Sequence, residues 1–204
     1  MRKVICLLGL LLCVSFTASA QDYSKIDLFA GVNYLHVSDP NNQVSGQNGV
    51  IKGFGVTASL AYNLNHWFGV VGEFGWDHID SFPNQGTISA STMTYLAGPK
   101  VTPFRVHSVS VFAQALMGGV HPGGDLGIKN AGSHTCCYGA TDAFALAAGG
   151  GMDWDFTKHL GIRLVQLDYM LTRVGYNLTA IPHFKNQNDW RYSGGVIIHL
   201  GGKK

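Results

Sequence analysis

The chain has 204 residues and carries 14 Lys or Arg against 12 Asp or Glu. Charged residues make up only 13% of it, where soluble domains have about 25%. It also contains 27 glycines and many aromatic residues, which together with the few charges is unusual for a soluble domain. This composition suits a single domain whose outer face meets lipid, and the near balance of charges gives no indication of nucleic-acid binding.

The N-terminal 20 residues have the layout of a secretory signal peptide. Arg2 and Lys3 form a positive start, Val4–Phe16 is apolar, and Ala18-Ser19-Ala20 places small residues before a cleavage site at Gln21. A membrane anchor is the alternative, but a spanning helix needs about 20 apolar residues. We therefore predict a signal peptide over 1–20 and one barrel domain over 21–204, and export across the inner membrane.

After Gln21 no stretch has a helical pattern. Apolar residues instead alternate with polar or small ones in runs of about ten residues, which is the pattern of membrane-spanning β-strands. The predicted strands are Lys25–His36, Gly53–Leu64, Trp67–His78, Ala90–Val101, Ser108–Val120, Ala143–Phe156, Leu160–Thr172 and Trp190–Leu200.

The connections between these strands alternate in length. Short ones follow strands two, four and six, at Asn63–His66, Thr102–His107 and Thr157–His159. Long polar ones lie at Val37–Lys52, Ile79–Ser89, His121–Asp142 and Arg173–Asp189. This alternation is typical of outer-membrane barrels with short periplasmic turns and longer extracellular loops. The fold prediction is an all-β, eight-stranded antiparallel up-and-down transmembrane β-barrel.

Within most strands one face is apolar and the other is polar or small. In the first strand Leu28, Val32 and Tyr34 share one face, while Asp27 and Asn33 share the other. A basic residue on the lipid face at the membrane midplane would cost about 2–4 kcal/mol. The polar faces are therefore predicted to line the lumen.

Seven charged residues fall in this inward phase: Asp27, Glu73, Asp77, Lys100, Asp153, Asp155 and Arg191. An eight-stranded barrel is just wide enough for side chains to fill it, and buried charges need partners. We predict that these residues form a structural ion-pair network that largely plugs the lumen. A narrow ion path along the same residues is the alternative.

The seventh strand does not alternate cleanly. Arg163 shares a face with the apolar Val165 and Leu167, while Gln166 and Asp168 lie on the other face. Either Arg163 lies at the periplasmic rim and extends to lipid headgroups, or a β-bulge changes the phase of the strand. We favour the rim.

The remaining residues that could take part in catalysis or bind a metal do not form a convincing site. His78, Asp80 and Ser81 adjoin a loop, and His107 with Ser108 lies in a turn; neither group resembles a hydrolase site. The loop histidines lack metal-ligand spacing, and adjacent Cys136 and Cys137 have no zinc-binding partners nearby. The loop histidines in question are His36, His78, His121, His134 and His183. We therefore predict no catalytic residue, no cofactor and no metal.

Four segments resemble the OmpA/OmpX-like family of small, porin-like outer-membrane barrels. Gly53–Leu64 followed by Trp67–Gly75 is similar to the family's second hairpin, and Ala145–Asp153 and Ile162–Tyr169 are similar to its sixth and seventh strands. The resemblance implies an eight-stranded barrel with a packed polar interior and functional surface loops. One departure is the C-terminus, where Gly201 rather than an aromatic residue follows the last strand.

The resulting functional prediction is an integral protein of the bacterial outer membrane with a structural or surface-interaction role. A narrow ion channel is the alternative, and a lipid-modifying enzyme is a weaker one. The predicted partners are outer-membrane lipids, the barrel-assembly machinery during insertion, and an extracellular ligand for the loops. The barrel is predicted to be monomeric and not to bind nucleic acid.

Overall fold

The computed structural model describes residues 23–38, 50–81, 88–123, 142–173 and 187–201. They form eight β-strands, numbered in chain order. The strands are β1 (Ile26–Ser38), β2 (Val50–Asn63), β3 (Phe68–Ser81), β4 (Ile88–Val106), β5 (Val109–Gly123), β6 (Ala143–Asp155), β7 (Leu160–Arg173) and β8 (Gln187–Leu200).

The strands close into one barrel. Each pairs antiparallel with its neighbours in the chain, and β1 pairs with β8 from Ile26 opposite Leu200 to Val37 opposite Asp189. The predicted eight-stranded up-and-down barrel is therefore confirmed. Within the described ranges, no helix is long and apolar enough to cross a membrane.

The two ends of the barrel differ in their connections. At the end that we call the short-turn end, residues 64–67, 107–108 and 156–159 join successive strands. At the opposite, long-connection end, the joining segments 39–49, 82–87, 124–141 and 174–186 lie outside the described residues, as do Cys136 and Cys137. The chain enters β1 and leaves β8 at the short-turn end, as the alternation of connection lengths predicts.

Polar side chains stabilise two of the short turns. Asn65 Oδ1 accepts hydrogen bonds from the backbone N–H groups of Trp67 (3.0 Å) and Phe68 (2.7 Å). Thr157 Oγ1 likewise accepts from the N–H groups of His159 (3.2 Å) and Leu160 (3.0 Å). Asn and Thr favour turns because their side chains can bond nearby backbone groups in this way.

The prediction of a connection at Thr102–His107 is wrong. Strand β4 continues to Val106, and only His107 and Ser108 form the turn to β5. The register with β5 shifts between Val101 and Phe104, around Pro103. Proline lacks a backbone N–H and is tolerated in strands at such irregularities, so here it marks a bulge rather than the end of a strand.

The predicted alternation of faces is confirmed along β1, β2, β3 and β6. Their apolar faces point outward, with Val32 and Phe54 among the most exposed large side chains. Their polar faces are buried in the lumen, as Asp27 and Glu73 show. A closed barrel whose outer face is apolar can satisfy its backbone hydrogen bonds within lipid.

In β7 the rim placement of Arg163 is wrong, and the bulge is the correct alternative. Arg163 and Gln166 are both buried in the lumen, while Leu164 and Val165 between them both face outward. The pairing of β7 with β8 shifts between Arg163 and Gln166, and that of β6 with β7 shifts at Met152/Asp153. Two consecutive outward residues are the signature of a bulge that reverses the phase of the strand.

Glycine permits close approach of backbones at the seam that closes the barrel. A Cβ added at Gly195 of β8 would lie 2.2 Å from the carbonyl oxygen of Ala30 and 2.4 Å from the Cα of Gly31. Since these neighbours are backbone atoms, they cannot move aside cheaply. The glycine at this position is therefore a requirement of the strand pairing.

The lumen contains an apolar cluster beside its charged residues. Its buried members come from all strands except β8. They are Leu35, Ala61, Val71, Leu96, Leu116, Val120, Ala145, Ala147 and Met170. Apolar and charged side chains therefore both point into the lumen.

Candidate functional site: the charged lumen

The centre of the lumen is an ion-paired cluster around Arg191 of β8. Its guanidinium group has no solvent exposure and contacts Glu73 of β3 and Asp168 of β7. The Nη2 atom donates to Glu73 Oε1 and, at 3.0 Å, to Asp168 Oδ2. Two carboxylates from different strands therefore share one cation, which connects distant parts of the barrel wall.

Two glutamines extend this cluster. Gln166 Nε2 donates to Glu73 Oε2 at 3.1 Å and to Asp168 Oδ2 at 2.6 Å. Gln114 Nε2 of β5 donates to Asp168 Oδ1 at 3.3 Å. Strands β3, β5, β7 and β8 are thereby linked across the lumen, and hydrogen bonds to charged groups are the stronger kind.

A second cluster is built around Arg163. Its Nε lies 2.8 Å from Asp153 Oδ1 and its Nη2 lies 3.2 Å from Asp153 Oδ2, in a forked arrangement. The guanidinium carbon lies 4.3 Å from the ring centroids of both Phe29 and Phe112. Its Nη1 donates to Gln166 Oε1 at 2.6 Å, which joins the two clusters. The planar cation is thus held by charge pairing and by aromatic faces.

Lys100 of β4 lies beside this second cluster. Its Nζ is 4.0 Å from Asp153 Oδ2 and 4.6 Å from the Phe112 ring centroid. Its side chain is only 6% exposed. A buried ammonium group needs such compensation, because taking it out of water is costly.

A third cluster lies at the short-turn end. His199 Nδ1 is 2.7 Å from Asp27 Oδ1, and His199 Nε2 is 3.0 Å from Asp155 Oδ1. Asn63 Nδ2 donates to Asp27 Oδ2 at 2.7 Å, and the Ser24 hydroxyl donates to Asp27 Oδ1. These contacts tie the start of β1 to β2, β6 and the end of β8.

Ser24, His199 and Asp27 bring together the three residue types of a hydrolase triad, but not in its geometry. In a triad the serine and the aspartate bind opposite nitrogens of the histidine. Here Ser24 Oγ, at 3.4 Å, and Asp27 face the same nitrogen, Nδ1. Asp155 occupies the other nitrogen. Each ring nitrogen of His199 thus lies beside a carboxylate, and the Ser24 hydroxyl donates to Asp27.

Several buried polar atoms in the lumen have no hydrogen-bond partner among the described residues. They are Asn33 Oδ1, Asp77 Oδ1, Thr94 Oγ1, Ser193 Oγ and two nitrogens of Arg191, Nε and Nη1. Four residues lie side by side on adjacent strands: Ser193 on β8, Asn33 on β1, Gly55 on β2 and Asp77 on β3. We call these four residues and Thr94 the polar row.

Of the seven residues predicted to line the lumen, six are buried there, and Asp155 is only partly buried, at the short-turn end. Glu73 and Arg191 meet in the central cluster, and Lys100 approaches Asp153 in the second. Asp27 and Asp155 are joined through His199, while Asp77 belongs to the polar row and interacts electrostatically with Arg191.

Sequence reasoning missed Arg163, Gln166, Asp168, Gln114 and His199 as members of these clusters. His199 could have been predicted, because alternation along β8 counted from Arg191 places it on the inner face. For Arg163 the broken alternation of the seventh strand indicated a bulge as one of two explanations, but it did not decide between the bulge and a rim position.

Among the described residues, no three His, Cys, Asp or Glu side chains form a group that could hold a metal ion. His78 is exposed on the outer side of β3, and His107 and Ser108 are exposed in a turn. His121 Nδ1 pairs with Asp142 Oδ1 at 2.7 Å near the surface. His134 and His183 lie outside the described residues, as do the side chains of Asp80 and Ser81.

Solved structures with the same fold are outer-membrane barrels. Neisserial surface protein A has a TM-score of 0.60 at 17% identity, over 87% of this chain and 98% of that one. OprG from Pseudomonas aeruginosa has a TM-score of 0.58 at 14% identity, over 88% and 98%. Ail, the attachment invasion locus protein of Yersinia pestis, has 0.51 at 14%, over 86% and 99%. At such identities the likeness shows the fold alone.

The sequence itself gives the family. No curated protein matches it, but the family model described as "Outer membrane protein beta-barrel domain" matches residues 5–201. This match covers every described strand. The chain therefore belongs to the outer membrane protein beta-barrel domain family and is a closed eight-stranded barrel of the bacterial outer membrane.

Proposed function

We propose that this protein is an integral outer-membrane barrel with a structural or surface-interaction role, whose lumen is closed by an ion-paired plug. The observation that carries the proposal is the joined network of Arg191 and Arg163. Through Gln166 it links Glu73, Asp153 and Asp168, so that charged side chains from four strands cross the lumen.

The energetics of buried charges favour a plug that stays in place. Removing one partner of a buried ion pair costs about 3–5 kcal/mol, because it leaves the other charge unpaired. Opening the lumen at Arg191 would separate it from both Glu73 and Asp168. Such a network therefore stabilises the barrel while it blocks the passage of solutes.

A closed lumen leaves the long connections as the part that meets other molecules. In outer-membrane barrels the longer loops face the cell exterior and the short turns face the periplasm. We propose that an extracellular ligand binds these loops, that the barrel is a monomer in outer-membrane lipids, and that residues 1–20 direct its export. We also propose that it does not catalyse a reaction, since His199 is held between two carboxylates.

The test of the plug is the permeability of proteoliposomes that contain the refolded protein. We expect no faster swelling in isosmotic arabinose or potassium chloride than in empty liposomes. A variant without the central pairs, E73Q/D168N/R191M, serves as the comparison, and its folded fraction is checked by heat-modifiable gel mobility. Swelling in arabinose with the unaltered protein would contradict a plugged lumen.

The narrow ion channel is the second candidate, and the polar row favours it. Asn33, Asp77 and Thr94 present buried polar atoms that no described side chain satisfies. A channel that uses them would admit potassium chloride but not arabinose, and Asp77→Asn would alter its permeability. The plug predicts that both solutes stay out and that Asp77→Asn changes neither result.

A further inference from the structure

Two basic side chains of β4, Lys100 and Arg105, come together inside the short-turn mouth of the lumen. Arg105 stands opposite the buried Ser110 of β5, and Ser110 stands opposite Asp153 of β6. The backbone of Lys100 lies deeper in the barrel, but its Nζ reaches back to the Phe112 ring centroid, at 4.6 Å, and to Asp153 Oδ2, at 4.0 Å. The Nζ atom therefore lies at the level of Arg105, and the two cations interact electrostatically.

The ammonium group of Lys100 has no carboxylate within hydrogen-bond distance among the described residues. Its separation of 4.0 Å from Asp153 Oδ2 is too long for a hydrogen bond. Both oxygens of Asp153 are instead engaged by Arg163, at 2.8 and 3.2 Å. An ammonium group has three donors and no acceptor, and the side chain of Lys100 is only 6% exposed. This buried cation is therefore short of an anionic oxygen.

Arg105 is short of an acceptor as well. Its side chain is half-buried, and its Nε is a buried donor without a hydrogen-bond partner in the described residues. The other two carboxylates of this mouth, Asp27 and Asp155, both contact His199. Since His107 in the turn that follows is exposed, Arg105 lies where the mouth opens to solvent.

Two neighbouring cations with unused donors are best satisfied by an anion, because an anion offsets both charges and also accepts their hydrogen bonds. A guanidinium group offers a fork of N–H donors that matches two oxygens of one oxyanion, and an ammonium group adds a compact charge. Phosphate, sulfate and carboxylate groups have this geometry, whereas a spherical chloride ion does not. A lipid headgroup does not reach the site, because Lys100 and Ser110 are buried on the inner face of the barrel wall.

We propose that the short-turn mouth of the lumen binds a small oxyanion, such as inorganic phosphate, between Lys100 Nζ and the guanidinium group of Arg105. This goes beyond the structural or surface-interaction role and does not depend on whether the lumen conducts. Asp153 lies nearer to the short turns than Asp168, the partner of Arg191. The oxyanion can therefore enter from the short-turn end while the central cluster stays closed.

The experiment follows the backbone amides of the refolded protein by NMR in phosphatidylcholine nanodiscs while inorganic phosphate is added. The ionic strength is held constant with sodium chloride, so that chloride is the competing anion. R105Q and K100Q each remove one cation of the site. Lys25 and Lys158 are exposed at the same end, so K25Q/K158Q is the control that removes nearby positive charge but leaves the site intact. Heat-modifiable gel mobility checks that each variant is folded.

We expect the amides of Arg105 and Ser110 to shift saturably, with a Kd on the order of 1 mM, in the unaltered protein and in K25Q/K158Q. R105Q and K100Q should each weaken the binding by at least about tenfold, because each loses a charge-assisted hydrogen bond. R105K keeps the charge but loses the fork, so its affinity should lie between those of R105Q and the unaltered protein.

The proposal would be overturned if phosphate caused no saturable shift in the unaltered protein, or if R105Q bound it equally well. An equal loss of affinity in K25Q/K158Q would also overturn it, because the binding would then reflect only the charge of the surface. Since Arg105 is only half-buried, R105Q decides the outcome should K100Q fail to fold.

Discussion

Replacing Arg191 by methionine is the perturbation that most directly tests the role of the central cluster. Methionine preserves much of the side-chain volume but removes the charge. Glu73 and Asp168 would then remain buried without the cation that they share. Gln166 would be their only remaining partner in the cluster that donates to both.

The expected loss in the free energy of unfolding is about 3–5 kcal/mol, the usual cost of removing one partner from a buried ion pair. A value near the upper end is expected, because Arg191 is fully buried and serves two carboxylates. Neutralising those carboxylates as well, in E73Q/D168N/R191M, should recover more than half of the loss. The three residues are in contact, so their effects are not additive.

The assay is urea unfolding of the protein refolded in lipid vesicles, followed by the fluorescence of its 4 tryptophans. A lower midpoint at an unchanged slope reports a loss of stability. Lys52→Met is the control, because Lys52 is exposed and its replacement should change stability by less than about 0.5 kcal/mol. If Arg191→Met shifted the midpoint no more than Lys52→Met does, the cluster would not stabilise the barrel.

Three further substitutions test other parts of the account by the same unfolding assay. Arg163→Lys keeps the charge but loses the fork to Asp153 and the planar stacking, so it should cost about 2 kcal/mol; no loss would contradict the buried placement. Gly195→Ala should cost about 1–3 kcal/mol because its Cβ would overlap backbone atoms, whereas Gly72→Ala, where a Cβ meets nothing within 4 Å, should be near neutral. Equal effects of the two alanines would refute the seam argument. His107 has a φ of 55° in its turn, so His107→Gly should stabilise the barrel by about 0.5–1 kcal/mol, and a loss of stability would show that the turn is not strained.

The number of strands could be predicted because alternation is a local property, and their pairing because the lengths of the connections order them. Alternation places Asp27 and Glu73 inward from their own strands alone. The pattern of connection lengths orders the strands without any knowledge of their register. The end of β4 could not be predicted, because a bulge around Pro103 interrupts the alternation before the strand ends.

The composition of the clusters could not be predicted in the same way. Glu73 meets Arg191 across the lumen from a strand 118 residues away in the chain. Asp168 lies directly opposite Arg191 on the neighbouring strand, but in a register that the bulge in β7 shifts. Arg163 required knowledge of a bulge, which is set by the pairing of β7 with both neighbours. Alternation assigns a side chain to the lumen but does not give its partner there.

The plugged lumen is tested most directly by current recordings of the refolded protein in planar lipid bilayers. The plug that joins Arg191, Glu73 and Asp168 predicts a membrane with no discrete openings, and E73Q/D168N/R191M is expected to introduce them. Discrete conductance steps in the unaltered protein, with an amplitude that changes in Asp77→Asn, would contradict the plug and establish a narrow channel through the polar row.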